Sequence, residues 1–93
     1  MFLIALAAIA VATVLIILTI NIIKNWFSNN NSIINRHKVN VILKQKLKSG
    51  KYKTVGGIFD PVNEKILSAT AWESNQLDDE LMSMDRVTVL HDF

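Results

Sequence analysis

An uncharged run from Phe2 to Ile23, closed by Lys24, constrains this chain more than any other feature. Of its twenty-two residues, fourteen are Phe, Leu, Ile or Val, five are Ala, and only three are polar. As a single α-helix the run would be about 33 Å long, enough to cross a hydrocarbon core of about 30 Å. The sequence therefore predicts that residues 1–24 form one transmembrane helix.

Two other interpretations of the run are weaker. A secretory signal peptide has a basic start, a shorter apolar stretch and a small-residue cleavage site, and the run has none of these. A helix buried in a protein core would have to be covered on all sides, and too few residues remain to cover it. The membrane-spanning interpretation is therefore the stronger one.

The distribution of positive charges predicts the orientation of the span. No Lys or Arg precedes it, whereas Lys24, Arg36 and Lys38 follow it closely. The positive-inside rule leaves the N-terminus outside and puts the C-terminal part in the cytoplasm or an equivalent compartment. Lys24, Trp26 and Phe27 are predicted to lie at the membrane interface, which basic and aromatic side chains favour.

Three alanines give the predicted span a candidate packing face. Ala5, Ala8 and Ala12 fall on one side of a helix, and small residues at such spacing let a second helix approach closely. Alanine is common in spans, so the same alignment also arises by chance. The functional interpretation is that the helix packs against a larger membrane protein complex.

Beyond the run, the chain divides into a tether and a small folded module. Residues 25–38 are rich in Asn and Ser, which favour turns, and they are predicted to form an interfacial tether. Residues 39–93 form the module, with Asn75 as the predicted N-cap of a short helix over residues 76–84. Apolar and polar residues alternate in segments that predict strands at 39–48, 51–59, 65–72 and 87–91.

The predicted fold class is a single N-terminal transmembrane α-helix followed by a small α+β module. The order of elements in the module is β-β-β-α-β, with antiparallel hairpins and one short helix. A domain of this size buries only about 60% of the surface of its unfolded chain, so its stability alone is marginal. Docking to something larger would stabilise it.

Charge is divided unevenly along the chain. Residues 24–59 carry eight Lys or Arg and no acidic residue, whereas residues 60–93 carry eight acidic residues and two basic ones. One interpretation is that the basic strands lie beside the acidic half of the same module. The functional interpretation is a basic stripe that faces anionic lipid, where each Lys contributes about 1 kcal/mol. The stripe consists of Lys44, Lys46, Lys48, Lys51 and Lys53.

Residues that carry catalytic or metal chemistry are sparse. His37 and His91 are the only histidines, there is no Cys, and neither His has a ligand partner at helical spacing. The acidic run Asp78–Glu80 suits the first turn of a helix better than a cation site. No Ser has a neighbouring base that could activate it as a nucleophile. A single Tyr among the lysines gives little support for nucleic-acid binding. We therefore predict no enzymatic activity, no cofactor and no metal site.

The predicted arrangement of span, polar tether and small β-rich domain resembles that of the YajC family, the accessory subunits of the bacterial preprotein translocase. Lys48-Ser49-Gly50 followed by Thr54–Ile58 is similar to a short stretch of that family. The likeness is one of architecture, and the basic Arg-Pro-rich segment expected after the span is absent. It implies an accessory role beside a larger membrane complex.

These observations predict a non-catalytic, single-pass membrane protein. Its most favoured role is that of a small accessory or structural subunit of a larger membrane protein complex, with the module docked on the cytoplasmic face. The alternative is an independent membrane-tethered module that recruits a soluble partner or anionic lipid. Nucleic acid is an unfavoured partner in either case.

Overall fold

The computed structural model describes residues 2–30 and 38–90 of the chain. In chain order the elements are α1 (Phe2–Ala7), β1 (Thr13–Leu18), α2 (Ile20–Asn29), β2 (Val39–Lys46), β3 (Tyr52–Asp60), β4 (Lys65–Leu77), α3 (Asp79–Ser83) and β5 (Val87–Leu90). The five strands form one sheet with the spatial order β1-β4-β3-β2-β5. The helices therefore flank a single mixed sheet.

The uncharged N-terminal run is divided among three elements and does not form one helix. Helix α1 is short, residues 8–12 connect it to β1 without forming a helix or strand, and α2 begins after Thr19, whose backbone is extended (φ −107°, ψ 155°). Strand β1 contains Val14, Ile16 and Ile17, β-branched residues that favour strands. In the described part of the chain, no helix has both the length and the apolar character needed to span a membrane.

This finding corrects the predicted fold class and localisation. The prediction of a transmembrane helix over residues 1–24, in a single-pass protein with its C-terminal part in the cytoplasm, is wrong. The physical reason is that β1 pairs with β4, so the backbone of the run bonds to another strand and not only within itself. The architectural resemblance to the YajC family depended on the span and is lost with it.

Strand β1 is fixed to the sheet along one side only. It runs parallel to β4 over its whole length, whereas the other neighbouring pairs are antiparallel. Hydrogen bonds extend the contact beyond both ends of β1. The Ala12 N–H donates to the Ala71 carbonyl at 2.9 Å, and the Asp78 N–H donates to the Leu18 carbonyl at 3.0 Å. Strand β1 thus forms one edge of the sheet.

From residue 39 onwards the elements follow the order β-β-β-α-β that the sequence predicts. They do not form a sheet of their own, because β1 belongs to the same sheet. Of the predicted tether, residues 25–29 belong to α2, and residues 31–37 lie outside the described residues.

Apolar side chains are buried on both faces of the sheet. On one face, α2 packs Ile20, Ile23 and Phe27 against the strands. On the other face, α1 contributes Leu6, which is fully buried. The buried strand residues of the two clusters are Leu18, Ile42, Ile58, Trp72 and Leu77 in the cluster with α2, and Val41, Leu43, Val55 and Ala71 in the cluster with α1. Because both faces are covered, the central strands are apolar on both sides.

Two adjacent glycines let the helices approach the sheet from opposite faces. A Cβ atom on Gly56 would lie 3.1 Å from Cζ3 of Trp72 and 3.5 Å from Cζ of Phe27. A Cβ atom on Gly57 would lie 2.5 Å from Cδ2 of Leu6. A larger residue at either position would displace the side chains that cover the sheet.

We expect Gly56→Val to lower the free energy of unfolding by about 2 kcal/mol, within the range for overpacked cores. The valine methyl groups would overlap the rings of Trp72 and Phe27, which are themselves buried. Urea unfolding followed by tryptophan fluorescence measures the change. An unchanged unfolding midpoint would show that α2 does not cover Gly56.

The short helix α3 begins later than the sequence predicts. Its first residue is Asp79 and its N-cap is Asp78, whereas the predicted N-cap is Asn75. Gln76 and Leu77 remain in β4, where they pair with β1. Pairing with β1 therefore replaces the first predicted turn of the helix.

The Asp78 side chain holds two helices at once. Its Oδ1 accepts a hydrogen bond from the Leu81 N–H at 3.0 Å, which caps α3. Its Oδ2 accepts a hydrogen bond from the N–H of Ile20, the first residue of α2, at 2.9 Å. A single carboxylate therefore satisfies donors at the start of both helices.

We expect Asp78→Ala to lower the free energy of unfolding by about 2 kcal/mol, because it removes two caps that each contribute about 1 kcal/mol. Asp79→Ala is the matched control: this exposed carboxylate in the same turn contributes less than about 1 kcal/mol. Chemical denaturation of both variants gives the comparison. Equal losses would contradict the double cap.

Candidate functional site

The outer edge of β1 exposes apolar side chains. Ile16 is 79% exposed, Val14 64% and Ile17 45%. Because β1 is the last strand on this side of the sheet, its outer backbone groups have no partner strand among the described residues. Residues 13–18 contain no charge and no Pro. An edge of this kind is a template for pairing with another strand.

The fold explains why part of β1 is uncovered. Leu15 and Leu18 pack against the core beneath α2. Val14 and Ile16 alternate with Leu15 and point to the opposite face. On that face α1 contacts the central strands β2, β3 and β4. Two β-branched residues therefore stay exposed beside α1.

The opposite edge of the sheet, β5, differs from β1. It has four residues, against six in β1, and Asp85 and Arg86 precede it. Val87 and Val89 are partly exposed there. Short strands with charged flanks are less suited to pairing. The two edges are thus unequal, and β1 is the stronger candidate for an interface.

Two lysines of the predicted basic stripe lie on the same face as α2 and α3. The Lys44 ammonium donates hydrogen bonds to the carbonyls of Leu81 and Met84 at the end of α3. Nζ of Lys46 lies 5.9 Å from the centroid of the Tyr52 ring, a cation–π contact. Both lysines are therefore positioned by specific contacts on this face.

The other three lysines of the stripe lie elsewhere. Nζ of Lys53 donates to the Ala7 carbonyl at 2.9 Å, on the α1 face. Nζ of Lys51 lies 3.8 Å from the carboxylate of Glu73. Lys48 is exposed in the turn between β2 and β3. The five lysines do not form one surface, and lipid binding by them stays a prediction.

The three alanines of the predicted packing face do not share a helix. Ala5 belongs to α1, Ala8 follows its end, and Ala12 comes directly before β1. All three are exposed. The helical spacing that would align them is absent, because residues 9–12 are not helical.

The three residues predicted for the membrane interface all lie on α2. Phe27 is 1% exposed, and the ring of Trp26 meets it edge-on at a centroid distance of 5.0 Å. Trp26 also meets Trp72 edge-on at 6.1 Å. Lys24 is exposed, with its Nζ 3.9 Å from the carboxylate of Glu80. The two aromatic side chains thus attach α2 to the sheet.

Residues 2–30 and 38–90 contain no group of His, Cys, Asp and Glu side chains that could hold a metal ion. Within the acidic run Asp78–Glu80, Asp78 serves as a helix cap. His37 and His91, the two histidines considered as ligands, lie outside the described residues.

No protein-family model matches this chain, and neither does any curated protein or solved structure at a significant level of similarity.

Proposed function

We propose that this chain is a protein-interaction domain that assembles with a second copy of itself by pairing of the two β1 edges. The observation that supports the proposal is the exposure of Val14 and Ile16 on an uncharged edge strand. Assembly retains the structural role that the sequence predicts, but the proposal includes no membrane span.

A second copy is the partner best matched to this edge. The outer side of β1 offers backbone groups and apolar side chains, without a charge that could select an oppositely charged partner. A partner strand must therefore be uncharged and apolar as well, and β1 of another copy meets that requirement. Antiparallel pairing of identical strands creates a two-fold axis, so the assembly closes as a dimer. A ten-stranded sheet would result.

The side chains select a register for this pairing. Opposed residues in antiparallel strands lie on the same face, so a two-fold axis at Leu15 brings Val14 opposite Ile16 of the second copy. This pair occurs twice in the dimer and covers the two most exposed apolar side chains of the strand. Leu15 then faces its own equivalent on the α2 side.

Cysteine cross-linking tests both the partner and the register. The chain has no Cys, so the introduced cysteine is the only thiol in each single-cysteine variant. Opposed residues have Cα atoms about 4.5–5.5 Å apart, which permits a disulfide. We expect a mixture of Val14→Cys and Ile16→Cys protein to form a disulfide-linked dimer faster than either variant alone.

Val89→Cys on the β5 edge is the control, since it replaces a valine on the other edge strand that is 41% exposed. It should cross-link slowly. A monomeric wild-type protein, or faster cross-linking of Val89→Cys than of the mixture, would overturn the proposal.

A further inference from the structure

A shallow cavity of about 230 Å³ lies where the end of β2, the start of β3 and α3 meet. The pairing of β5 with β2 ends at Leu43, and the Lys44 N–H donates to the Arg86 carbonyl at 2.8 Å. Only Gln45 and Lys46 of β2 extend beyond this contact. The cavity is lined by Lys44, Gln45, Lys46, Tyr52, Leu77, Met82 and Arg86.

The lining of the cavity is cationic on one side. Lys44, Lys46 and Arg86 line it, and no acidic residue does. The carboxylates of Glu73 and Glu80 are paired with Lys51 and Lys24, and none of these four residues lines the cavity. Several like charges around one concave surface create a positive potential that attracts an anion.

The three cations differ in how firmly they are held. Lys44 is fixed by the two carbonyls at the end of α3, so its charge stays in place. Lys46 lies beside the Tyr52 ring. Arg86 is exposed, and its guanidinium can bind a carboxylate or phosphate through two parallel hydrogen bonds. Lys46 and Arg86 are therefore the two groups best able to contact a ligand.

The remaining wall is apolar. Tyr52, Leu77 and Met82 line it, and the Met82 side chain is half exposed at the rim. Methionine adapts its shape to small apolar groups, and the tyrosine ring offers a flat surface. The cavity is smaller than the roughly 300–1,000 Å³ of drug-sized sites, so a ligand that fits is about one ring in size.

Two buried hydroxyl groups lie in the rows of the sheet next to this cavity. Thr54 is directly opposite Lys44, and Ser74 is directly opposite Tyr52. Neither hydroxyl oxygen has a hydrogen-bond partner among the described residues. Unsatisfied polar atoms thus lie beside the cavity, and a third, Oδ1 of Asn40, lies near the other end of β2.

We propose that this cavity binds a small organic anion, in which a carboxylate or phosphate is attached to a single apolar group. The oxyanion contacts Lys46 and Arg86, and the apolar group lies against Tyr52 and Met82. This site is independent of the β1 edge, and its test does not depend on dimer formation.

A titration followed by amide NMR tests the site with three probes: phenyl phosphate, benzoate and inorganic phosphate. We expect phenyl phosphate and benzoate to cause saturable shifts centred on Tyr52, Met82 and Arg86. The tighter of the two identifies the preferred oxyanion. Inorganic phosphate should bind more weakly than phenyl phosphate, because it cannot use the apolar wall. Equal affinity for inorganic phosphate and phenyl phosphate would overturn the proposal. So would shifts that do not saturate at these residues.

Matched charge variants complete the test. Arg86→Gln should weaken binding of phenyl phosphate by about tenfold, the loss of one charge-assisted contact. Lys48→Gln removes the same charge from an exposed turn residue that does not line the cavity, and it should change the affinity little. Similar losses in both variants would mean diffuse attraction to a basic surface and would overturn the site. Unchanged thermal unfolding of both variants shows that the fold is intact.

Discussion

Replacing Ile16 with Lys should convert the proposed dimer into a monomer and leave the domain folded. Ile16 is 79% exposed, so the substitution removes no core packing within one copy. In the dimer, two lysines would be buried opposite Val14 of the other copy. Loss of two buried isoleucines, at about 1.5 kcal/mol or more each, raises the dissociation constant at least about a hundredfold. Light scattering coupled to size-exclusion chromatography measures the change across a range of concentrations.

Val62→Lys is the matched control for this prediction. Val62 is 62% exposed, similar to Val14, but it lies in the turn between β3 and β4. The same increase in charge there should leave the dimer intact. If Ile16→Lys remains dimeric, or if both variants dissociate equally, the β1 interface is wrong.

The second large effect is expected from Phe27→Ala, which should lower the free energy of unfolding by about 3–5 kcal/mol. Phe27 is 1% exposed, packs edge-on against Trp26 and lies over Gly56. Removing its ring leaves a cavity between α2 and the sheet that the glycine cannot fill. Urea unfolding monitored by tryptophan fluorescence gives the loss.

Ser28→Ala is the control for Phe27, since Ser28 is its exposed neighbour on α2. An exposed substitution of this kind changes stability by less than about 0.5 kcal/mol. The pair of variants also separates the two interpretations of this segment. A Phe27 that faced lipid would contribute nothing to the packing of the sheet, and its loss would match that of Ser28→Ala.

The strands after residue 39 could be predicted because their alternation is visible in the sequence. Val39 and Val41 are separated by the polar Asn40, and Ser49-Gly50 marks the turn. Gly50 has a φ of 90°, which glycine adopts without strain. Local pattern and turn chemistry thus determine this hairpin.

Strand β1 could not be recognised within the N-terminal run from its hydropathy pattern, because both faces of this strand are apolar. Leu15 and Leu18 are directed to the core, and Val14 and Ile16 are exposed, yet all four look alike by hydropathy. Pairing with β4 is a contact distant in sequence, and nothing within residues 13–18 predicts it. Length and lack of charge alone favoured a span.

The sequence does contain an amphipathic pattern that indicates helix α2. Ile20, Ile23 and Phe27 recur at spacings of three and four residues and are all buried. Polar residues such as Asn21 and Lys24 lie between them and are exposed. This is the pattern of an amphipathic helix on a core, and it crosses the end of the uncharged run at Ile23. The predicted boundary between span and tether, at Lys24, falls inside this helix.

The sequence also predicts that the lysines of the stripe lie on different faces of the sheet. In an antiparallel hairpin centred on the turn at residues 48–50, Lys44 pairs with Thr54 and Lys53 pairs with Gln45. Opposed residues share a face, so Lys44 and Lys53 must lie on opposite faces. The position of α3, and with it the cavity beside Arg86, depends on tertiary contacts and could not be predicted in this way.

A disulfide across β1 and β4 tests the central claim, that the uncharged run contributes an edge strand to the sheet. Val14 and Glu73 are opposed in the parallel pair, at a separation suited to a disulfide. The double variant Val14→Cys/Glu73→Cys should form an intramolecular disulfide on mild oxidation and gain about 3 kcal/mol or more of stability, because the bond closes a long loop. If the oxidised protein retains two free thiols, β1 does not lie beside β4 and the account is contradicted.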